Sequence, residues 1–154
     1  MDKGGEGEKP KVVVDASVAV KWVIPGEPWE EQAVALKDMV VSGEVEAYAP
    51  QLIMYEVASV ILKAVLRGIL KPSRGAEALR AFKDLGISIQ AFDWDCAAEV
   101  LATALETGLT IYDSVYLHLS RRLNCRLVTA DRELEEKGRN VAEIVLLEDL
   151  NLQR

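Results

Sequence analysis

The sequence predicts one α/β domain in three layers, α/β/α, with a mostly parallel central sheet covered by helices on both faces. Short β-branched runs alternate along the chain with longer stretches whose apolar residues recur every three or four positions. The length of 154 residues, with 50% hydrophobic and 28% charged residues, is typical of a single globular domain. We find no internal repeat and no interdomain linker, so we expect the domain to span residues 11–150.

The first ten residues differ from the rest of the chain. They are mainly Gly, Lys and Glu, which predicts a disordered leader over residues 1–10 and excludes a secretory signal. The apolar stretches elsewhere are far shorter than the roughly 20 residues that cross a bilayer. We therefore expect a cytoplasmic protein without a membrane anchor. Cys96 and Cys125 lack the Cys and His neighbours of a zinc site, so we expect simple buried thiols.

Apolar periodicity and the placement of Pro and Gly predict the elements of the first half. Pro50 suits the first turn of a helix, where its missing N–H costs nothing, and an apolar stripe follows it. Ser73 is expected to open the next helix. In chain order we expect a buried strand at 11–14, a short apolar segment at 16–23, a helix at about 29–41, a weak strand at 46–49, a helix from 50 past 64, and a helix from 73 to about 84.

The second half continues the alternation. Asp93 lies before an amphipathic helix as a cap would, and Gly108 follows that helix as C-terminal glycines do. The elements expected here are a strand at 87–91, helices at 96–106 and 112–123, a strand at 126–129, a short helix at 131–138 and a last strand at 143–147.

The charge balance points away from nucleic acid. The chain has 18 basic and 25 acidic residues, a net charge of −7. Proteins that bind nucleic acid through its phosphates are usually basic overall. Taken alone, this balance argues against a nucleic-acid partner.

Four acidic residues lie where folding alone would not place them. Asp15 directly follows the first strand, and Asp131 lies two residues after the strand that ends at Thr129. In open α/β sheets, ligands bind beyond the carboxyl ends of the strands, so both acids should line that edge. Glu56 falls on the apolar stripe of its helix, and Asp113 begins a helix in apolar surroundings. A buried lone carboxylate is costly unless it is compensated.

Each acid also has an explanation that involves no function. Asp15, Asp113 and Asp131 precede helical sequence and could be N-caps, an explanation that is most favoured for Asp131. Glu56 could pair with a Lys or Arg from elsewhere in the chain. These alternatives stay open on the sequence alone.

Convergence of four carboxylates would create strong repulsion, which hard divalent cations, Mg²⁺ or Mn²⁺, relieve. Such a site lowers the pKa of a bound water and stabilises the oxygens of a phosphoryl centre. Ser17 and Thr129 carry hydroxyls close to Asp15 and Asp131 and could orient the carboxylates. The sequence therefore predicts metal-dependent phosphodiester hydrolysis.

Four segments of this chain resemble the PIN-domain nucleases in order and spacing, and within them the VapC-type toxins of toxin–antitoxin pairs. They are VDASVAVKW at 14–22, EVA at 56–58, YDSVY at 112–116 and LVTADREL at 127–134. The resemblance implies a PIN-like fold over residues 11–150, dependence on Mg²⁺ or Mn²⁺, and cleavage of single-stranded RNA. It implies that Asp15, Glu56 and Asp113 hold metal, with Asp131 as the fourth acid, and that Ser17 and Thr129 support them. Ser114 stands where relatives often carry Ala, and adds a hydroxyl beside Asp113.

The resemblance also implies partners: a small VapB-type antitoxin and a second copy of the chain in a homodimer. The candidates for RNA contact are Lys21, Lys63, Arg67 and Arg121, although a solvated basic face explains each equally well. Two other functions stay open, an RNA-processing PIN nuclease without an antitoxin and a scaffold that binds RNA or protein without cutting. His118 is the only histidine and no Gly-x-Ser-x-Gly occurs, so rival hydrolytic mechanisms have no support.

Overall fold

The computed structural model describes residues 7–151 and contains a five-stranded sheet in which every strand pair is parallel. The predicted α/β fold with a parallel sheet is confirmed. In space the strands follow the order β3-β2-β1-β4-β5. Their bounds are Lys11–Val14 for β1, Glu46–Pro50 for β2, Ser88–Gln90 for β3, Arg126–Thr129 for β4 and Ile144–Leu146 for β5.

Helices connect the strands, as parallel pairing requires. Within the described residues, no helix is both long enough and apolar enough to cross a membrane. The bounds are Ala16–Ala19 for α1, Glu30–Ser42 for α2, Leu52–Leu66 for α3, Pro72–Lys83 for α4, Trp94–Thr107 for α5, Ile111–Leu123 for α6 and Arg132–Gly138 for α7, with 3₁₀ turns at Val20–Trp22 and Leu147–Asp149.

Two predicted helix starts are wrong. Pro50 ends β2 opposite Gln90, and α3 begins only at Leu52. The pairing of β2 with β1 extends only to Tyr48, so a residue without an N–H is tolerated at the strand end. Ser73 does not open α4, which begins at Pro72 and has no side-chain cap. Proline at the first helical position is favourable because its fixed φ suits the helix.

The ends of the described chain and the two thiols bear on other predictions. Residues 7–10 are exposed and form no helix or strand, while residues 1–6 of the predicted leader lie outside the described range. Cys96 and Cys125 are free thiols, as expected, but the prediction that both are buried is correct only for Cys96, because Cys125 is partly exposed. Asp93 caps α5 by accepting from the Cys96 N–H at 2.8 Å, which confirms that prediction.

The core lies around β1, whose Val13 and Val14 are completely buried, as are Leu127 and Val128 of the neighbouring β4. From β1 the chain builds β2 and then β3 on one side, and it returns through α5 and α6 to place β4 on the other side. The direction of winding therefore reverses between β1 and β4. In parallel sheets such a reversal opens a crevice at the carboxyl ends of the two strands.

Candidate active site

Asp15 lies in this crevice at the end of β1 and is only 6% exposed. Its backbone N–H donates to Val128 O at 3.0 Å, which ties it to β4. Although Asp15 occupies the N-cap position of α1, its side chain makes no capping bond. Its Oδ2 instead accepts from Ser17 Oγ at 2.6 Å and from Thr129 Oγ1 at 2.7 Å. Capping therefore does not explain this acid.

The two hydroxyls are held in turn by the backbone that follows β4. Ala130 N–H donates to Ser17 Oγ at 2.9 Å, and Asp131 N–H donates to Thr129 Oγ1 at 3.1 Å. The two hydroxyl oxygens lie 3.2 Å apart, but each has a single proton and donates it to Asp15. Hydrogen bonds in series polarise one another and rigidify a buried polar site. These contacts are those expected of residues that orient a carboxylate.

Glu56 extends from the second turn of α3 and is half-buried. Its Oε1 accepts a hydrogen bond from the Tyr116 hydroxyl at 2.8 Å. None of the ion pairs found among residues 7–151 includes Glu56, so a Lys or Arg partner is not the explanation for this acid. The sequence reasoning missed Tyr116, and the only available signal was its spacing of three residues from Asp113, which puts both on one face of α6.

Asp113 and Asp131 differ in whether their side chains cap a helix. Thr110 caps α6 by accepting from the Asp113 N–H at 3.1 Å, so Asp113 lies inside the first turn and is not a cap. Asp131 does cap α7, since its Oδ1 accepts from Glu133 N–H at 2.9 Å and from Leu134 N–H at 3.2 Å. The capping explanation is therefore wrong for Asp113 and correct for Asp131, where it uses only one carboxylate oxygen.

Electrostatics link these four residues, which we call the acid cluster: Asp15, Glu56, Asp113 and Asp131. Burial raises the pKa of Asp15, and the charges of Asp113 and Asp131 raise it further against its two hydroxyl donors. Burial is also the main cause that raises the pKa of Glu56, and the charges of Asp15 and Asp113 add to it. The pKa of Asp113 is raised by burial first and then by Asp131. The acids thus disfavour one another's ionised forms.

The donors of the acid cluster suit a hard divalent cation. They are carboxylate oxygens accompanied by the hydroxyls of Ser17 and Thr129, and sets made of oxygen favour Mg²⁺ or Mn²⁺ over softer metals. Across residues 7–151, no three His, Cys, Asp or Glu side chains already stand in a geometry that could hold one ion. The acids lie near enough to influence one another's charge, but no three of them meet at one point. The residue types fit the predicted metals.

One predicted basic residue lies close to the acid cluster and another is buried. Lys63 is exposed two turns after Glu56 on α3 and lines the same groove as Ser17 and Glu56. Lys21 is only 7% exposed, and its Nζ lies 3.8 Å from Glu27 Oε2. Lys21 therefore packs into the domain beside α1 and does not face solvent. A side chain that contacts RNA would have to be exposed, so the structure does not support this candidate.

The two predicted arginines lie farther away. Arg67 follows the end of α3, about 16 Å along the helix axis from Glu56. Arg121 lies in the last turn of α6, about 12 Å along the axis from Asp113. Both are exposed, and Arg121 belongs to a surface region that also contains His118. His118 Nε2 lies 2.5 Å from a Glu99 carboxylate oxygen there, so it takes no part in the acid cluster.

Ser114 is buried at the start of α6 beside Asp113 in sequence, but its hydroxyl touches none of the acids. It is the buried side-chain polar group that has no hydrogen-bond partner within the described part of the chain. The hydrogen bonds therefore give no evidence that Ser114 orients an acid of the cluster.

The groove that Lys63 lines has a volume of about 680 Å³ and runs between α1, α3 and the start of α6. Tyr55 and Tyr112 also line it and are 75% and 65% exposed. Exposed aromatic rings next to a basic side chain are typical of surfaces on which unpaired bases stack. The sequence reasoning missed both rings as ligand contacts, because a single exposed aromatic leaves no periodic signal.

Comparisons with known proteins agree with this architecture. The model of the PIN domain family matches residues 12–140. The chain is 36% identical to Ribonuclease VapC3 of Pyrobaculum aerophilum over 131 residues, which is 82% of this chain and 94% of the relative.

Solved structures show the same fold. PAE2754 from Pyrobaculum aerophilum superposes with a TM-score of 0.67 at 24% identity, covering 90% of this chain and 85% of that one. VapBC2 from Rickettsia felis, solved bound to a DNA fragment from their promoter, matches with a TM-score of 0.63 at 14% identity, covering 88% and 98%. The three-layer arrangement predicted from the sequence is thus shared with both.

Proposed function

Because the chain belongs to the PIN domain family, we propose that it is a metal-dependent endoribonuclease that cleaves single-stranded RNA at the acid cluster. The observation that carries the proposal is the buried Asp15, held by two hydroxyls in the switch-point crevice and surrounded by three further acids. A buried carboxylate that others repel is expensive for folding, so its presence favours a role in binding a cation.

The residues of the crevice divide the work of such a reaction. Asp15, Glu56, Asp113 and Asp131 would hold Mg²⁺ or Mn²⁺. A bound divalent cation supplies a water nucleophile at neutral pH and offsets the charge that develops on the phosphate. Ser17 and Thr129 keep Asp15 oriented. Attack by water, and not by the ribose 2′-OH, leaves a 5′-phosphate and a 3′-hydroxyl.

The RNA would be held by the groove and by the metal. Lys63 offers a phosphate contact, and Tyr55 and Tyr112 offer faces for unpaired bases. The net charge of −7 is compatible with this arrangement, because four of the 25 acids belong to the cluster whose negative charge bound divalent cations would offset. We therefore expect RNA to bind poorly when metal is removed.

The test compares the wild type with Asp113→Asn and Asp84→Asn on a panel of single-stranded RNAs. Asp84 is an exposed aspartate after α4 and serves as the matched control. We expect Asp113→Asn to cut about a thousandfold more slowly, since a catalytic metal is worth several kcal/mol. Asp84→Asn should match the wild type. A 2′,3′-cyclic phosphate product, or full activity in EDTA, would contradict the mechanism.

We further propose that the chain is the toxin of a toxin–antitoxin pair. Its relative is named VapC3, and a protein of similar fold was solved as the pair VapBC2. The expected partners are a small VapB-type antitoxin and a second copy of this chain, and the expected location is the cytoplasm. We also propose that residues 11–150 suffice for folding and cleavage.

Growth assays separate this function from the alternatives. Expression of the wild type should arrest growth, Asp113→Asn should not, and coexpression of a small DNA-binding protein encoded beside it should restore growth. Cleavage without growth arrest would favour an RNA-processing nuclease. RNA binding without cleavage, unchanged in Asp113→Asn, would favour a scaffold that does not cut.

A further inference from the structure

The carboxylate of Glu56 has less hydrogen-bond support than those of Asp15 and Asp131. Asp15 accepts from two hydroxyls and Asp131 from two backbone N–H groups. Glu56 has a longer side chain and more rotamers to choose among, and its Tyr116 bond is the one hydrogen bond found for its carboxylate in residues 7–151. Whatever orients Glu56 must therefore act through that bond.

Tyr116 is well suited to fix a flexible carboxylate. Its side chain is 1% exposed and belongs to the hydrophobic core, so the ring has little freedom to move. It lies three residues after Asp113, on the same face of α6. One rigid side chain thus links α6 to Glu56 on α3.

The bond has a fixed direction. An ionised carboxylate can only accept and a phenol carries its proton at neutral pH, so Tyr116 is the donor. That proton goes to Oε1 of Glu56, which leaves Oε2 without a protein donor in the described residues. A carboxylate held at one oxygen and free at the other is prepared to bind a cation.

We propose that Tyr116 is a positioning residue that holds Glu56 in the orientation needed for metal binding. The proposal rests on the proposed function, since it assigns Glu56 to the metal. Groups that hydrogen-bond a metal ligand from behind typically change metal affinity by 10- to 100-fold when they are removed. Tyr116 would act through Glu56 and would not itself touch metal or RNA.

The test is a calorimetric titration of the purified full chain with Mn²⁺. Tyr116→Phe keeps the ring and removes only the hydroxyl, and we expect its Mn²⁺ affinity to fall about tenfold. The matched control is Tyr48→Phe, because Tyr48 also donates to a glutamate, Glu46, at 3.1 Å, but on β2 and away from the acid cluster. Tyr48→Phe should bind Mn²⁺ like the wild type.

A double-mutant cycle with Glu56→Gln separates positioning from a general effect on folding. If Tyr116 acts through Glu56, Tyr116→Phe lowers Mn²⁺ affinity in the wild type and changes it less than twofold in Glu56→Gln. An unchanged affinity in Tyr116→Phe, or the same tenfold loss in both backgrounds, would overturn the proposal. A crystal structure of the wild type with Mn²⁺ keeps the proposal testable if Tyr116→Phe does not fold: Glu56 should bind the ion while its Oε1 still accepts from Tyr116, and loss of that bond would overturn the proposal.

RNA cleavage provides an independent readout. In Tyr116→Phe, the rate at limiting Mn²⁺ should fall about tenfold and recover at saturating Mn²⁺, whereas a general loss of packing would not be rescued by metal. The titration does not require cleavage. If the wild type binds Mn²⁺ but cuts no RNA, the proposed function fails while the role of Tyr116 is still decided.

Discussion

The acid cluster has two halves that are built in different ways. At the sheet edge, Asp15 is 6% exposed and receives two hydroxyl hydrogen bonds that the backbone after β4 supports. On the helices, Glu56 and Asp113 are half-buried, and Glu56 depends on a bond from Tyr116, 60 residues away in sequence. The edge half is held by hydrogen bonds at the ends of two adjacent paired strands, and the helix half by one hydrogen bond between side chains on two helices.

This difference suggests a division of roles. A buried carboxylate with fixed donors is preorganised and should change little when a cation binds. Half-buried carboxylates on two separate helices can adjust their positions, and mutual repulsion keeps them apart until positive charge is present. We therefore expect damage to the edge half to reduce catalysis even at saturating metal, and changes in the helix half to alter metal affinity and stability first.

Thr129→Val tests the edge half and should reduce both catalysis and stability. Valine keeps the shape of this fully buried residue but removes a donor to Asp15 and leaves the Asp131 N–H without its acceptor. We expect cleavage at saturating Mg²⁺ to fall about 100-fold and the free energy of unfolding in urea to fall by about 2 kcal/mol.

Thr103→Val is the control for this substitution, because Thr103 is buried on α5 and bonds only a backbone carbonyl at 3.3 Å. It should leave the cleavage rate within about twofold of the wild type. If Thr129→Val also cut RNA at a wild-type rate, the hydroxyl bonds of the edge half would not preorganise Asp15 for catalysis.

The edge half could be predicted from the sequence because its acids follow recognisable strands. Asp15 follows a β-branched run, Asp131 follows another, and parallel strands place their carboxyl ends on one edge. The order of the strands could not be predicted, because periodicity identifies strands without naming their neighbours. The reversal between β1 and β4 therefore emerged only from the structure.

The helix half was harder to predict from the sequence. Tyr116 fits an apolar helical pattern and looks like a core residue, and it is one, but periodicity does not reveal where a buried hydroxyl points. Lys21 was misjudged in the other direction. Its sequence context suits a surface lysine, but its side chain is buried and lies beside Glu27. The helix starts predicted at Pro50 and Ser73 are displaced because neighbouring residues are equally suited to the first position of a helix.

Asp113→Asn probes repulsion in the helix half. Without metal it should raise the free energy of unfolding at pH 7.5 by about 1 kcal/mol, since functional residues often reduce stability. Folding raises the pKa of Asp113, so the ionised form destabilises the folded state as pH rises through that pKa, and the stabilising effect of the substitution should fade towards pH 4.

Bound metal should reverse the order of stability, so that the wild type becomes more stable than Asp113→Asn. Mg²⁺ at 100 times its Kd would stabilise the wild type by about 2.7 kcal/mol, and Asp113→Asn by much less. Thermal unfolding curves with and without Mg²⁺ measure both effects. A metal-free Asp113→Asn protein that is less stable than the wild type at pH 7.5 would show that the acids do not repel one another.

Ser114→Ala has the smallest expected effect and tests whether the helix half contains a residue that only costs stability. The Ser114 hydroxyl is completely buried and has no hydrogen-bond partner in the described chain. Removing an unsatisfied group and installing a better helix former should raise the free energy of unfolding by about 1 kcal/mol, or the Tm by about 3 °C.

Ser120→Ala is the matched control on the same helix, and the two substitutions should have opposite signs. Ser120 is equally buried, but its hydroxyl donates to Cys125 O at 2.5 Å, so its loss should lower the free energy of unfolding by about 1 kcal/mol. If Ser114→Ala instead destabilised the protein and slowed cleavage, the Ser114 hydroxyl would have to contact Asp113 once metal is bound. Ser114 would then belong with Ser17 and Thr129 as a residue that orients an acid, and the helix half would be more preorganised than its contacts indicate.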